Sequence, residues 1–571
     1  MIPSRHTRRA ATAAAWAATL LPPFAIIALI DRLAVNMPFQ DDWDMLQVVT
    51  KWRTGTLSAG DFWQQHSEHR VAGLKAFIWT IGRLTDYDVI AQMYVGFTFV
   101  AITLVLVGDL LRVTAKDHQF PSTLLALPAS SLLLFSLVQQ ENWFWATASL
   151  QLSLVNLCAV MLVWVFTRWP DYWRSLTCAA GCAVLGMFTE VSGQVLWIIG
   201  ALTISLGPRT RRRRTPRLAV WTVAALTAFA AYVWHLLWAS SSVSAAFRDP
   251  GRVVIFAGAC LGLPFASWTS PDWSALVGGV GVAALCAASW TTYSYAPLRF
   301  RSLYPFLLLA TDGLLVCILI AIGRAGGDPQ SALTSHYAFA PTLFWMALVV
   351  VLPAAVQAVW PRLSRRTRTA VLAAIVVATA MLGTGYVRSN LHGYREAYAR
   401  SRNLQMALAV SSSAPAPPRE VLRFLYPPDE GRPQRLLSEL RTLGLGPFST
   451  HSGRETARLV GQFTAVPASG SSDGFHDGGD CSGTTGWAWD PAHPDAPIVL
   501  DVWSGDTRLG TVTANWFRWD LWTAGKGNGQ HGFRFLFPTQ MALQTGRVVT
   551  VTFAGTLRAL RGGPRLVQCR D

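Results

Sequence analysis

Three carboxylates crowd one short stretch, Asp41, Asp42 and Asp44 of "QDDWD". A carboxylate beside a hydroxyl can take its proton as the oxygen attacks, which is general-base catalysis. Paired carboxylates can also hold a divalent cation such as magnesium, manganese or calcium through oxygen ligands. Close acids raise one another's pKa. Neighbouring positions on a helix point about 100° apart, so one of Asp41 and Asp42 is expected to be the base. The other then holds a ligand, tunes its neighbour or binds the cation. No cofactor is required by this pattern. A plainer reading stands beside it, in which the acids open a helix, where they suit the N-terminal dipole.

Similar material recurs along the chain. "QHSEHR" supplies Glu68, His69 and Arg70, and "QQENWFWATASLQ" supplies Gln140, Glu141 and Asn142. "TEVSGQ" carries Glu190 and Gln194, and "GRAGGDPQSALTSHY" carries Arg324, His336 and Tyr337. Arginine's planar fork suits an anionic phosphate, so His69, Arg70, Arg324 and His336 are candidates for binding one. Asp44, Glu68, Gln140, Glu141, Asn142 and Tyr337 are candidates for holding hydroxyls. Each has a structural alternative: a solvated face for "EHR", and interfacial anchoring for Trp143 and Trp145.

The elements that position these groups are membrane helices. Of the 571 residues, 51% are hydrophobic and only 14% charged, and many windows of about 20 residues carry no charge. Eleven spans are expected, near 11–35, 88–111, 121–138, 149–168, 174–189, 191–206, 217–239, 272–290, 302–323, 337–359 and 368–388. The stretch 252–269, with Pro264 inside it, reads as re-entrant or interfacial. The net charge of +16 is a topological signal and not a nucleic-acid one. Arginines cluster in short loops, among them Arg5, Arg8 and Arg9, Arg211 to Arg214, and Arg362 to Arg368, as cytoplasmic loops do. With those spans the N-terminus is cytoplasmic, and the loop 36–87 carrying "QDDWD" and "EHR" faces outward. Within that loop "DMLQVVTKWRTG" and "VAGLKAFIWTIGRL" have helical apolar spacing. Arginine almost replaces lysine, a usage expected of a GC-rich bacterial genome such as an actinobacterial one.

Beyond the last span the pattern changes. Residues 391–470 read as a helical connector with the linker "SSSAPAPPRE", and 471–571 alternate apolar and polar residues between turn signals, as an antiparallel β-sandwich does. "IVLDVWSGDTRLGTVTA" is expected to form a hairpin about "SGDT". Trp487, Trp489 and Trp503 are expected in the sandwich core, whereas Trp516, Trp519 and Trp522 are candidates for stacking on sugar. Cys481 and Cys569 bracket this segment and can form a disulfide in an oxidising space.

"QDDWD" behind the first span, with "QHSEHR", "QQENWFW" and "SHYAFAPTLFW", resembles the GT-C superfamily of membrane glycosyltransferases, in a bacterial branch. The resemblance runs over about 10–465 and includes "VLRFLYPP" and "LRTLGLGPF"; where Arg-Tyr is the branch's pattern, this chain has His336-Tyr337. "GWAWDP", "NWFRWDL" and "HGFRFLFP" resemble a β-domain attached to bacterial glycosyltransferases. The resemblance implies a domain of 1–390 that transfers a sugar from a polyprenyl-phosphate donor to a cell-envelope glycan or glycoprotein. The enzyme would be a pentosyl- or hexosyltransferase, arabinosyl if the genome is mycobacterial-like. It would sit in the plasma membrane with its C-terminal domain extracytoplasmic. Two other readings remain: a transporter or flippase of lipid-linked sugars, and a non-catalytic glycan-binding envelope protein.

Overall fold

The computed structural model describes residues 5–116, 123–169, 173–207, 211–236, 241–324, 326–450, 452–537 and 546–568. Cys569, residues 121–122 of the third expected span and 237–239 of the seventh lie outside them. The chain forms two compact units. One comprises 1–32, 56–81 and 90–396, and the other 33–55, 82–89 and 397–571. The loop 36–87 is therefore divided: "QDDWD" belongs with the C-terminal unit and "EHR" with the helical one, which the contiguous domains 1–390, 391–470 and 471–571 do not capture.

The first unit is helical. Among the described residues eight helices are long and apolar enough to cross a bilayer: Ala11–Leu33, Val89–Ala115, Ala146–Arg168, Arg214–Val233, Pro271–Tyr295, Tyr304–Arg324, Ser335–Arg362 and Arg365–Ser413. This is the build of a multi-pass membrane protein. Leu21, Val105 and Trp290 leave about 70% of their surface exposed on these helices, as lipid-facing side chains do. The three remaining expected spans fall on shorter helices: Leu125–Gln139, Trp173–Met187 and Val191–Leu206. The stretch read as re-entrant is a 17-residue helix, Pro250–Ala266. Small residues let it pack closely on Pro271–Tyr295: a Cβ on Gly278 would lie 2.1 Å from the Gly258 carbonyl oxygen. Arg252 in its first turn donates to the Gly327 carbonyl, and Trp268 just beyond its end lies under Arg388 at 4.7 Å. Gly327 follows Arg324, and Arg388 lies two residues from both Tyr386 and Asn390, which bond Leu132 and Ser136.

Between the first spans the chain makes short elements. Ser58 and Asp61 form a capping box on Ala59–Trp63. The helix Ala72–Thr85 follows as its periodicity predicts, burying Leu74, Ile78 and Ile81. The buried Lys75 ammonium donates to the Asp61 and Gln64 carbonyls at 3.0 and 2.7 Å, which ties the two segments together.

In the second unit 33–55 and 82–89 are woven into the connector. The Gln40 amide donates to the Leu425 carbonyl at 2.8 Å, and the Gly446 amide to Asp86 at 2.7 Å. Asn36 bonds Ser452 at 2.9 Å and accepts from the Val89 amide at 3.1 Å. The connector helices are Arg419–Leu425, Gly431–Leu443 and Gly453–Gln462. Gly444 ends the second at φ +63°, a left-handed C-cap that glycine adopts without a Cβ penalty.

The β region has eight strands: β1 (Asp473–Asp480), β2 (Gly483–Trp489), β3 (Ile498–Ser504), β4 (Thr507–Ala514), β5 (Trp516–Phe517), β6 (Gln530–Leu536), β7 (Val548–Phe553) and β8 (Arg565–Leu566). They form two antiparallel sheets, β1-β2-β6-β5 and β4-β3-β7-β8. The β3–β4 hairpin turns at the expected place, with Ser504 opposite Thr507. The core is aliphatic and phenyl: Ile498, Leu500, Val502, Phe533, Val551 and Phe553 among others. Trp487, Trp489 and Trp503 are not in it, contrary to expectation. Strand pleating is the reason: Gly486 and Ala488 take the buried positions of β2, which turns Trp487 and Trp489 the other way. The Lys526 ammonium sits over both indoles at 4.5 and 4.6 Å. Trp503 instead donates to Thr552 at 3.1 Å. Cys481 is disulfide-bonded.

Candidate functional site

The acidic stretch, in the second unit, gives its three carboxylates different tasks. Gln40 turns the chain at φ +51°, the left-handed region a non-glycine residue adopts at a cost of about 1–2 kcal/mol. Asp41 follows as the cap of the helix Asp42–Met45, its carbonyl accepting from the Asp44 and Met45 amides at 3.0 Å. Asp42 is 1% exposed, and its carboxylate accepts from the Phe39 amide at 3.0 Å. Its carbonyl takes the Tyr87 hydroxyl at 2.7 Å. Burial, then the Asp42 charge, pushes the Tyr87 phenol well above its ordinary value, so it stays a donor. Asp42 thus folds the turn that leads into the helix. Asp44 pairs with Arg432 and accepts from the Tyr426 hydroxyl at 3.1 Å. Burial raises the Tyr426 pKa, with Asp41 and Asp429 adding to the effect. Asp41 is the half-exposed member of the adjacent pair.

In the first unit the "EHR" segment makes a tight turn. The His66 and His69 backbones exchange bonds at 2.9 and 3.1 Å, Ser67 turns at φ +50°, and Glu68 is exposed at the tip. Arg70 is 3% exposed. Its guanidinium donates to the Tyr232 carbonyl at 2.8 Å and also to the carbonyls of Trp63 and Trp234. Those three acceptors give Arg70 the work of a strut, which corrects its candidacy for phosphate.

The other candidates in this unit converge. Glu141 accepts from His336 twice, at 2.8 Å from Nδ1 and 3.2 Å from the amide. Asn142 donates to the His336 carbonyl at 3.3 Å, and Ser335 to Val138 at 2.7 Å. Beside His336 lies Tyr337, at 4.3 Å between rings, and the Tyr337 hydroxyl has Arg324 and Glu190 among its charged neighbours. Glu190 in turn lies 3.7 Å from His69 Nε2 and accepts from Gln151. One network thus runs from Glu141 through His336 and Tyr337 to Glu190 and His69. Gln140 contributes backbone: its carbonyl accepts from the Trp143 and Phe144 amides at 3.1 and 3.0 Å.

The chain matches no family model, no curated protein and no solved structure. What the site can do therefore rests on its own chemistry.

Several members of these clusters escaped sequence reasoning. Gln151 lies in the quoted "QQENWFWATASLQ" stretch, and Tyr426 in "VLRFLYPP", so both had a local signal. Arg432 and Tyr232 had none, because their partners are far away along the chain. In the β region Trp516 packs edge-on to Phe424 at 5.3 Å, and Trp519 lies among Tyr398, Phe517 and Trp522. Trp519 is thus part of an aromatic cluster, and Trp522 is its exposed member.

Proposed function

We propose that the protein is a membrane glycosyltransferase that moves a sugar from a polyprenyl-phosphate donor to a cell-envelope glycan or glycoprotein. The observation that carries this reading is the network of Glu141, His336, Tyr337, Arg324, Glu190 and His69 in the helical unit. Ionisable groups at a membrane boundary are costly and mark function. A lipid-tethered sugar brings its phosphate to that depth, because its tail stays in the bilayer. Arg324 and the imidazoles of His69 and His336 suit the anion, while Glu141, Asn142 and Tyr337 suit hydroxyls.

In the transfer the acceptor oxygen bonds to the anomeric carbon, and the bond from that carbon to the phosphate oxygen breaks. The electron pair leaves with the phosphate, and the acceptor proton goes to a carboxylate. We assign that proton to Asp41, the half-exposed acid of the adjacent pair. Attack opposite the phosphate inverts the anomeric centre. A divalent cation, if used, would take oxygen ligands from Asp41. The bonded state of Cys481 suits an oxidising compartment, and the arginine-rich loops suit the cytoplasmic face. Both support a C-terminal unit outside the plasma membrane and an N-terminus inside it.

The test is reconstitution of the full chain in liposomes with a radiolabelled polyprenyl-phosphate sugar and an envelope glycan fraction. Asp41→Asn is expected to lose about 10²–10⁴-fold in turnover while keeping its fold. Undiminished turnover in that variant removes Asp41 as the base, and a wild-type chain that moves the donor between leaflets without transferring sugar is a flippase.

A further inference from the structure

Two open chambers lie side by side in the second unit. One, of about 580 Å³, is bounded by Phe39 and Gln40, by Glu420 and Arg423 of the connector, and by Trp516 and Arg518 of the β region. The other, of about 550 Å³, is bounded by Asp480, Ser482, Thr484 and Gln568. Asp477, Thr485, Arg534 and Leu536 line both, so the two make one groove across the sheet β1-β2-β6-β5. Each chamber alone falls within the range of roughly 300–1,000 Å³ typical of small-ligand sites, and together they have room for several sugar rings. Gln40, the residue before Asp41, is among its lining residues.

Its lining has a definite chemistry. Trp516 is half-exposed beside Phe424, and an indole face is an apolar platform for the C–H side of a pyranose. Arg518 is held flat by Asp520 at 2.7 Å and by Asp477. Gly532 makes this possible, because a Cβ there would meet the Arg518 Cδ at 2.9 Å. Fixed guanidinium and carboxylate groups offer paired donors and acceptors that match vicinal hydroxyls. The charges balance: Arg423, Arg518 and Arg534 stand against Glu420, Asp477 and Asp480. With equal numbers of either sign the lining as a whole favours neither an anionic nor a cationic chain, and its paired donors and acceptors suit neutral hydroxyls.

We propose that this groove binds a neutral oligosaccharide and leads its end toward Asp41, as the acceptor track of the transferase; the catalytic half of this statement rests on the function proposed above. The β region then selects the acceptor class by chain length and neutrality.

The test uses the full chain in lipid nanodiscs and fluorescent linear neutral oligosaccharides of increasing length, with uronic-acid oligosaccharides of the same lengths beside them. Neutral chains are expected to bind more tightly with length until the groove is filled. Thr485→Trp, at an exposed position shared by both chambers, is expected to weaken binding roughly tenfold or more, and Arg534→Ala to weaken it too. Asp506→Trp, at the exposed β3–β4 turn, controls for added bulk and should bind as wild type does. Equal binding by wild type, Thr485→Trp and Arg534→Ala overturns the groove, as does tighter binding of the uronic-acid series or no binding at all. Binding needs no donor and no Asp41, so the two proposals fail separately. Transfer indifferent to Asp41→Asn with binding blocked by Thr485→Trp sinks the base and keeps the groove. Transfer indifferent to Thr485→Trp sinks the acceptor track.

Discussion

The Tyr426 hydroxyl donates to the Asp44 carboxylate at 3.1 Å across 382 positions of chain. Arg432 closes on the same carboxylate and lies 5.4 Å over the Tyr426 ring. The acidic stretch behind the first span is thereby pinned to the connector, and Asp41 is set in place by groups that do no chemistry themselves. Removing Arg432 leaves a mostly buried carboxylate short of a partner, at a cost on the order of 1–3 kcal/mol. Arg432→Ala is therefore expected to lower the melting temperature of the purified protein. Tyr426→Phe should cost less, about 1 kcal/mol, since it removes one neutral donor. Equal melting of all three proteins would mean that the pin carries no load.

The adjacent acids separate under mutation. Asp42→Ala strands the Phe39 amide in a buried turn, so its defect is in stability, about 1–3 kcal/mol, and reduced transfer follows the folded fraction. Asp41→Asn keeps the backbone cap and should melt as wild type does while turnover falls. Thermal melts and initial rates measured on the same preparations divide the two. A stable Asp42→Ala protein with no turnover would exchange their roles.

How far the residues announced these roles depends on the range of the interaction. Uncharged windows such as Phe339 to Val359 mark spans because a bilayer tests each segment by itself. The β3–β4 hairpin was legible for a similar reason, its turn and alternation being local. The division of labour among Asp41, Asp42 and Asp44 was not, since it depends on Phe39, Tyr87, Tyr426 and Arg432. Arg70 shows the opposite failure: beside Glu68 and His69 it looks like an anion binder, and only folding brings the Trp63, Tyr232 and Trp234 carbonyls around it. Trp487 and Trp489 look like core by type, but strand parity gives their buried places to Gly486 and Ala488.

Arg70 tests the strut assignment directly. Lysine keeps the charge but loses the fork that serves three carbonyls. Arg70→Lys is expected to destabilise the helical unit by roughly 2 kcal/mol, read as earlier thermal inactivation in detergent. The surviving folded fraction should keep its apparent affinity for the lipid-linked donor. A raised donor KM at unchanged stability would return Arg70 to phosphate binding.

The β region carries its own pH dependence. Burial alone would push Asp490 up. The Ala492 amide at 3.0 Å, the Ser469 hydroxyl and amide at 2.8 and 3.2 Å, and Ser472 outweigh it and hold the carboxyl at about 2. Its value when folded lies below the ordinary 3.8, so the ionised form is the one the fold favours. That stabilisation is fully present above the unfolded value and is lost as pH falls from about 4 toward 2. His493 Nδ1 lies 3.6 Å from the same carboxylate. Pepsin cleavage within 468–568 should therefore accelerate in the wild type as pH drops through that window. Asp490→Asn is expected to be cleaved faster than wild type at pH 4 and to converge with it near pH 2. Parallel profiles for the two proteins would show that Asp490 contributes nothing to the acid stability of the sandwich.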